Sequence, residues 1–190
     1  MTDEMGKQIR NAAGDYVRQR REEVQAFADS LALGDDLGAV IRAHLYLERE
    51  LNYFIEAVVD PAVLKVLKPR YHQKVRLAVA LGLPERFAGS LSCIGEIRNT
   101  FAHELHPVLT QAQVNRFFDA LGEDLQSKAQ QSFISIRATR PGADVVRSIF
   151  DIAPRDQFSI YMVQLWTALV TAVFFLIKGR GVGSSTNEPL

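Results

Sequence analysis

Between Gln157 and Ile177 the chain runs for 21 residues without a single charge, QFSIYMVQLWTALVTAVFFLI. A helix rises ~1.5 Å per residue, so a segment of this length reaches roughly 30 Å, enough to cross a bilayer. The other surrounding that tolerates a helix apolar nearly all round is the middle of a helical bundle. Gln164, Thr167 and Thr171 fall near one face at helical spacing, and no aromatic or basic anchor frames the N-terminal side beyond Arg155. The segment is therefore read as a buried central helix, with a membrane anchor as the alternative.

The rest of the chain repeats its apolar residues at helical period. From Met5 to Leu33 they fall at Ile9, Ala13, Tyr16, Val17, Val24, Phe27 and Leu31, which predicts a long surface helix ended by Gly34. A second helix is expected from Asp36 to Val59. Asp60-Pro61 reads as an N-cap followed by proline at the first helical position, opening a short helix to Lys68. Further helices are expected over Tyr71–Leu81, stopped by Gly82, and from Pro84 to Leu105, ended before Pro107. Thr110 and Gln113 have capping-box spacing and open a helix carrying Val114, Phe117, Phe118, Leu121 and Leu125. Residues 132–156 are read as loop, because the alternating FISIRATR has no sheet to join, with a helical turn near Asp144–Phe150. The predicted architecture is an all-α, antiparallel helical bundle. It divides into an N-terminal helix (1–34), the bundle (35–178) and a Gly/Ser-rich disordered tail (179–190).

Composition narrows the function classes. The 22 basic and 22 acidic residues cancel, so a polyanion-binding arm of the histone type is excluded while local basic patches stay open. A hydrophobic share of 47% excludes disorder over most of the chain. Cys93 is the single cysteine, which fits a reducing compartment and, with four histidines, excludes a Cys-rich zinc site. The opening MTDEMGKQIRNAAGDYVRQRR lacks an apolar core of the signal-peptide kind, so cytoplasmic residence is expected.

The densest polar constellation is LSCIGEIRNTFAHELHP. On a helix, Ile94, Ile97, Phe101 and Leu105 form a buried stripe, Arg98 sits on its flank, and Asn99 and His103 face the other way. These residue types suit phosphodiester chemistry. Histidine exchanges protons near neutral pH, arginine offers a fork of donors to phosphate oxygens, and asparagine can orient either. No carboxylate cluster accompanies them at metal-ligand spacing, so neither metal nor cofactor is expected. The plain alternative is a set of structural or solvated side chains.

Other polar residues carry less. His44 reads as a half-buried helix residue, His72 as a surface one, His106 as a helix-end residue and Cys93 as small core. Arg18, Arg20 and Arg21 read as a solvated face with Glu22 and Glu23. Arg137, Arg140, Arg147 and Arg155 could form a cationic rim for RNA. Glu48 and Glu50 read as solvent-facing or dimer-rim charges. No Gly-rich phosphate loop, serine elbow or zinc-protease motif appears.

The stretch IRNTFAH, Ile97 to His103, resembles the Arg-Asn-x-x-x-His signature of HEPN domains, helical bundles that often dimerise. The order LERELNYFIEAVV, a short helix, KVRLAVALGL and IGEIRNTFAHEL resembles the mannitol operon repressor branch. PRDQFSIYMVQLWTAL, Pro154 to Leu169, is similar to that branch's final helix and the segment before it. The resemblance covers Asp36 to Lys178 and implies two functions. One is a regulatory or adaptor protein acting as a homodimer through contact with a protein partner, without membrane association. The other is a metal-independent endoribonuclease of the toxin or defence type. In that case Arg98 would hold the scissile phosphate of RNA, His103 would act as general acid/base, and Asn99 matches the polar residue that follows the arginine.

Overall fold

In the computed structural model, which describes residues 22–139 and 147–183, the regular elements are all helical. They are α1 (residues 22–32), α2 (Asp36–Glu56), α3 (Pro61–Leu67), α4 (Tyr71–Ala80), α5 (Arg86–His103), α6 (Gln111–Ala120), α7 (Glu123–Ala138) and α8 (Pro154–Gly183). A 3-10 turn, Ile149–Asp151, precedes α8. The chain is an all-α helical bundle. The expected helix before residue 22, with Arg18, Arg20 and Arg21, lies outside the described residues, as do Arg140, Asp144 and the tail beyond Gly183.

Local chemistry sets the boundaries. Gly34, at φ 67°, ends α1, and Asp35 caps α2 by accepting from the Gly38 amide at 2.8 Å. Asp60 accepts from the Ala62 amide at 2.7 Å, with Pro61 at the first helical position of α3. The Thr110–Gln113 capping box forms as expected.

Three expectations fail. The helix opened by Thr110 does not run on through Leu125, because Gly122, at φ 76°, turns the chain and α7 starts afresh. Residues 132–138 are then helix rather than loop. Leu125, Ala129 and Phe133, four apart, form the buried stripe of α7 against α8, while Ile134 and Ile136 stand exposed. The strand-like alternation of FISIR arises because those two isoleucines lie off the stripe. α8 also continues through residues 179–183, where the tail was expected to begin.

The charge-free stretch lies within α8, which packs against α2, α6 and α7. Gln157, Phe158, Tyr161, Met162, Leu165, Trp166, Leu169, Val170 and Val173 are buried, so the helix occupies the bundle core. By length and hydropathy, its Pro154–Ile177 portion is the one candidate membrane span among the described residues. Trp166 stacks against Phe27 of α1 at 4.9 Å and meets Tyr46 of α2 edge-on at 5.7 Å. Gln157 and Gln164 of α8 bond to neighbouring segments. Gln157 donates to the Ile152 carbonyl at 2.8 Å and exchanges hydrogen bonds with Gln111, while Gln164 donates to Ser132 at 3.0 Å.

Arg155 has a structural task instead of a place in a cationic rim. Its guanidinium donates to the carbonyls of Leu31, Ala32, Leu33 and Gly34, at 2.6–3.2 Å, and so caps the C-terminus of α1. Its Nε lies 3.9 Å from Asp36, whose carboxylate also accepts from the Leu109 amide at 2.9 Å. One ion pair thus fastens α1, α2, α8 and the segment before α6.

Candidate ligand-binding site

Helix α5 sorts its residues by face. Ile94, Ile97 and Phe101 are buried as expected, but Leu105 is 87% exposed because the helix ends at His103. Arg98 is half-buried beside the stripe, and its Nη1 donates to Asn99 Oδ1 at 3.0 Å. His103 is exposed in the last turn. Five residues at ~100° each put it about 140° around the helix from Arg98, so one chain does not bring these two side chains together. His106 is exposed beyond the helix end, and Cys93 is buried, with burial pushing its thiol pKa up.

Arg98 and Asn99 face a cavity of about 720 Å³ between α2, α4 and α5, and His103 is not among its walls. Helix α2 contributes His44 and Glu48. The first turn of α4 contributes Arg70, Tyr71 and His72, with Arg76 a turn later. Helix α5 adds Ser92, Gly95 and Glu96. The cavity depends on a close approach: a Cβ on Gly95 would lie 2.9 Å from the Tyr71 ring. With hydrogen there, Tyr71 lies against α5 and its hydroxyl donates to the Leu91 carbonyl at 3.1 Å. Burial pushes the Tyr71 phenol pKa well up, keeping it a neutral donor.

His44 packs against Tyr71, with ring centroids 4.2 Å apart and the planes tilted by 42°, and is only 4% exposed. Burial lowers its pKa below the ordinary 6.5. The Glu48 carboxylate, 3.7 Å away, opposes that shift, while Arg98 and Lys74 reinforce it. Burial therefore favours the neutral imidazole. It makes no hydrogen bond among the described residues, and its nitrogens are not among the fully sealed, unpaired polar atoms, which are Arg42 Nε, Trp166 Nε1 and Thr167 Oγ1.

The carboxylates at the cavity are already paired. Glu48 binds Lys74 at 2.5 Å and Glu96 binds Arg116 at 2.5 Å, and neither cation lines the cavity. Arg70, Arg76 and Arg98 have no carboxylate partner among the described residues. The cavity carries uncompensated positive charge beside the N-terminus of α4, where unpaired amides and the helix dipole add to it.

Sequence reasoning found Arg98 and Asn99 but missed the remainder of this wall. His44 and Glu48 are four apart on a helix that is otherwise apolar on that side, and Gly95 sits in mid-helix. Both were readable signals of a polar pocket and a close approach. Glu50, expected at the surface, is buried and bound to Arg49 at 2.7 Å.

Glu48 also borders a second, shallow depression on the outer face of α2, with Leu45, Arg49, Asn52, Tyr53 and Glu56. Leu45 and Tyr53 are more than half exposed there. No protein-family model matches the chain, and no curated protein or solved structure matches it either.

Proposed function

We infer that the chain is a regulatory or adaptor protein of the mannitol-repressor-like kind, working in the cytoplasm as a homodimer through protein contact. The observation that carries this reading is the outer face of α2. Leu45 and Tyr53 are exposed at 55% and 57%, and Arg49 and Glu56 lie seven residues apart on the same face. That arrangement is self-complementary. A twofold axis beside Asn52 and Tyr53, with the two α2 helices antiparallel, sets Arg49 of one copy against Glu56 of the other. Exposed apolar groups rimmed by paired charges are the surface a protein contact needs.

A second reading, the metal-independent endoribonuclease, is favoured by one observation: Arg98 and Asn99 face a cationic cavity while His103 stands free at the end of α5. A dimer would have to bring His103 of one copy to the cavity or to the other copy's motif.

Light scattering of the full chain beside Tyr53→Glu tests the first reading. A dimeric wild type and a folded monomeric variant support it; a monomeric wild type, or a variant that stays dimeric, counts against this face. RNA cleavage in EDTA that His103→Ala abolishes would establish the second reading instead.

A further inference from the structure

We propose that the cavity between α2, α4 and α5 is a binding site for a small phosphomonoester, held by Arg70, Arg76 and the N-terminus of α4 above the His44 ring. The proposal stands apart from the dimer reading, since every group it uses belongs to one chain.

Three independent features converge on that ligand class. The first is charge. Glu48 and Glu96 are satisfied by Lys74 and Arg116, so the guanidiniums at the cavity await an anion from outside the protein. The second is a buried polar side chain without a hydrogen bond. His44 is 4% exposed, lines the cavity and makes no hydrogen bond among the described residues, its nearest polar neighbour being the Glu48 carboxylate at 3.7 Å, so its ring nitrogens are left to a ligand oxygen. The third is backbone. The α4 N-terminus opens at Arg70, Tyr71 and His72, all of which border the cavity, and no side chain caps Tyr71 or His72.

Size and rim chemistry choose a small ligand over a strand. A volume of about 720 Å³ is that of a small-molecule pocket. The carboxylates of Glu48 and Glu96 stand within its wall, paired yet still negative, where a polyanion would thread past them. The guanidiniums of Arg70 and Arg76 supply the donor fork for the phosphate, and the Tyr71–His44 ring pair offers an apolar surface to the rest of the ligand.

Glycerol 3-phosphate serves as the probe, titrated into the full chain by calorimetry, with inorganic phosphate as competitor. Saturable binding is expected, together with a shift of the His44 ring C–H resonances at the same midpoint. The Arg70→Ala/Arg76→Ala double variant, altered only at exposed side chains and checked by circular dichroism, should bind roughly tenfold more weakly or worse. Lys128→Ala, on α7, should bind as wild type. Absence of saturable binding overturns the proposal, as does binding that the double variant leaves unchanged. Binding seen only with a single-stranded RNA, with an affinity that grows with length and falls steeply with salt, also overturns it and assigns the cavity to a nucleic acid.

Discussion

The two sides of α2 face different worlds. Toward α8 it presents Tyr46, and the seam closes on Trp166 and Phe27 with aromatic rings 4.5–5.7 Å apart. Toward α4 and α5 it presents His44 and Glu48, and the space between the helices is left open and polar. The first side gains stability in the ordinary way, by removing apolar area from water. The second holds a buried imidazole without a hydrogen bond and guanidiniums without carboxylates, an arrangement that apolar side chains would improve if stability were the only requirement. A single helix thus separates the part of the molecule that sustains the fold from the part equipped to bind.

The largest effect that would sharpen this contrast lies in the seam. Trp166→Ala should lose about 3–5 kcal/mol by urea denaturation, because it empties a fully enclosed site between α1, α2 and α8. Trp166→Phe should cost far less, since the indole N–H it removes has no partner. A small loss for the alanine variant would mean that α8 is not the centre of the bundle.

Next comes the fastening of α1. Arg155→Ala strips donors from the carbonyls of Leu31 to Gly34 and should cost about 2 kcal/mol. Hydrogen exchange should quicken in residues 22–33 and leave α4 and α5 unchanged. Exchange quickened equally everywhere would show that α1 and the bundle open as one unit.

On the pocket side, Gly95→Ala drives a methyl group against the Tyr71 ring and should cost about 1–2 kcal/mol, with the Tyr71 hydroxyl leaving Leu91. The matching change at Gly179, where nothing lies within 4 Å, should be neutral or slightly stabilising. Equal effects at the two sites would deny the close approach that shapes the cavity.

The smallest effect is a pH dependence. His44 faces Glu48 on its own helix, Tyr71 and Lys74 on α4, and Arg98 on α5, and burial leaves its pKa below 6.5 in the folded chain. Well above pH 6.5 the imidazole is neutral in both states. As the pH falls below that value the unfolded chain takes up the proton first, so stability declines until the folded pKa is passed. The stability of the wild type relative to His44→Gln should therefore fall as the pH drops from 7 to 5. A constant difference would show that His44 titrates alike in both states.

Much of the fold was legible because capping and helical period act locally. Asp60-Pro61, the Thr110–Gln113 box and Gly34 each end or begin a helix for reasons contained within a few residues. The break at Gly122 was missed because Leu121 and Leu125 continue the period across it, and only the left-handed backbone there separates α6 from α7. The site was found where a motif named it, while the spacing of His44 and Glu48 and the mid-helix Gly95 signalled a pocket without saying which residues meet there. Arg98 and Asn99 stand together in sequence, whereas His44, Tyr71 and Gly95 meet through packing of three helices that no local pattern encodes. Arg155, grouped by sequence with other arginines, is bound to the end of α1, a contact across 121–124 residues that spacing could not show.

The claim most exposed to test is that this end of the molecule binds rather than cuts. Labelled RNA incubated in EDTA with the full chain, beside His103→Ala, decides it. Uncut RNA with both proteins folded is the expected result, because Arg98 and His103 point to different sides of α5. Cleavage by the wild type that His103→Ala abolishes would contradict it.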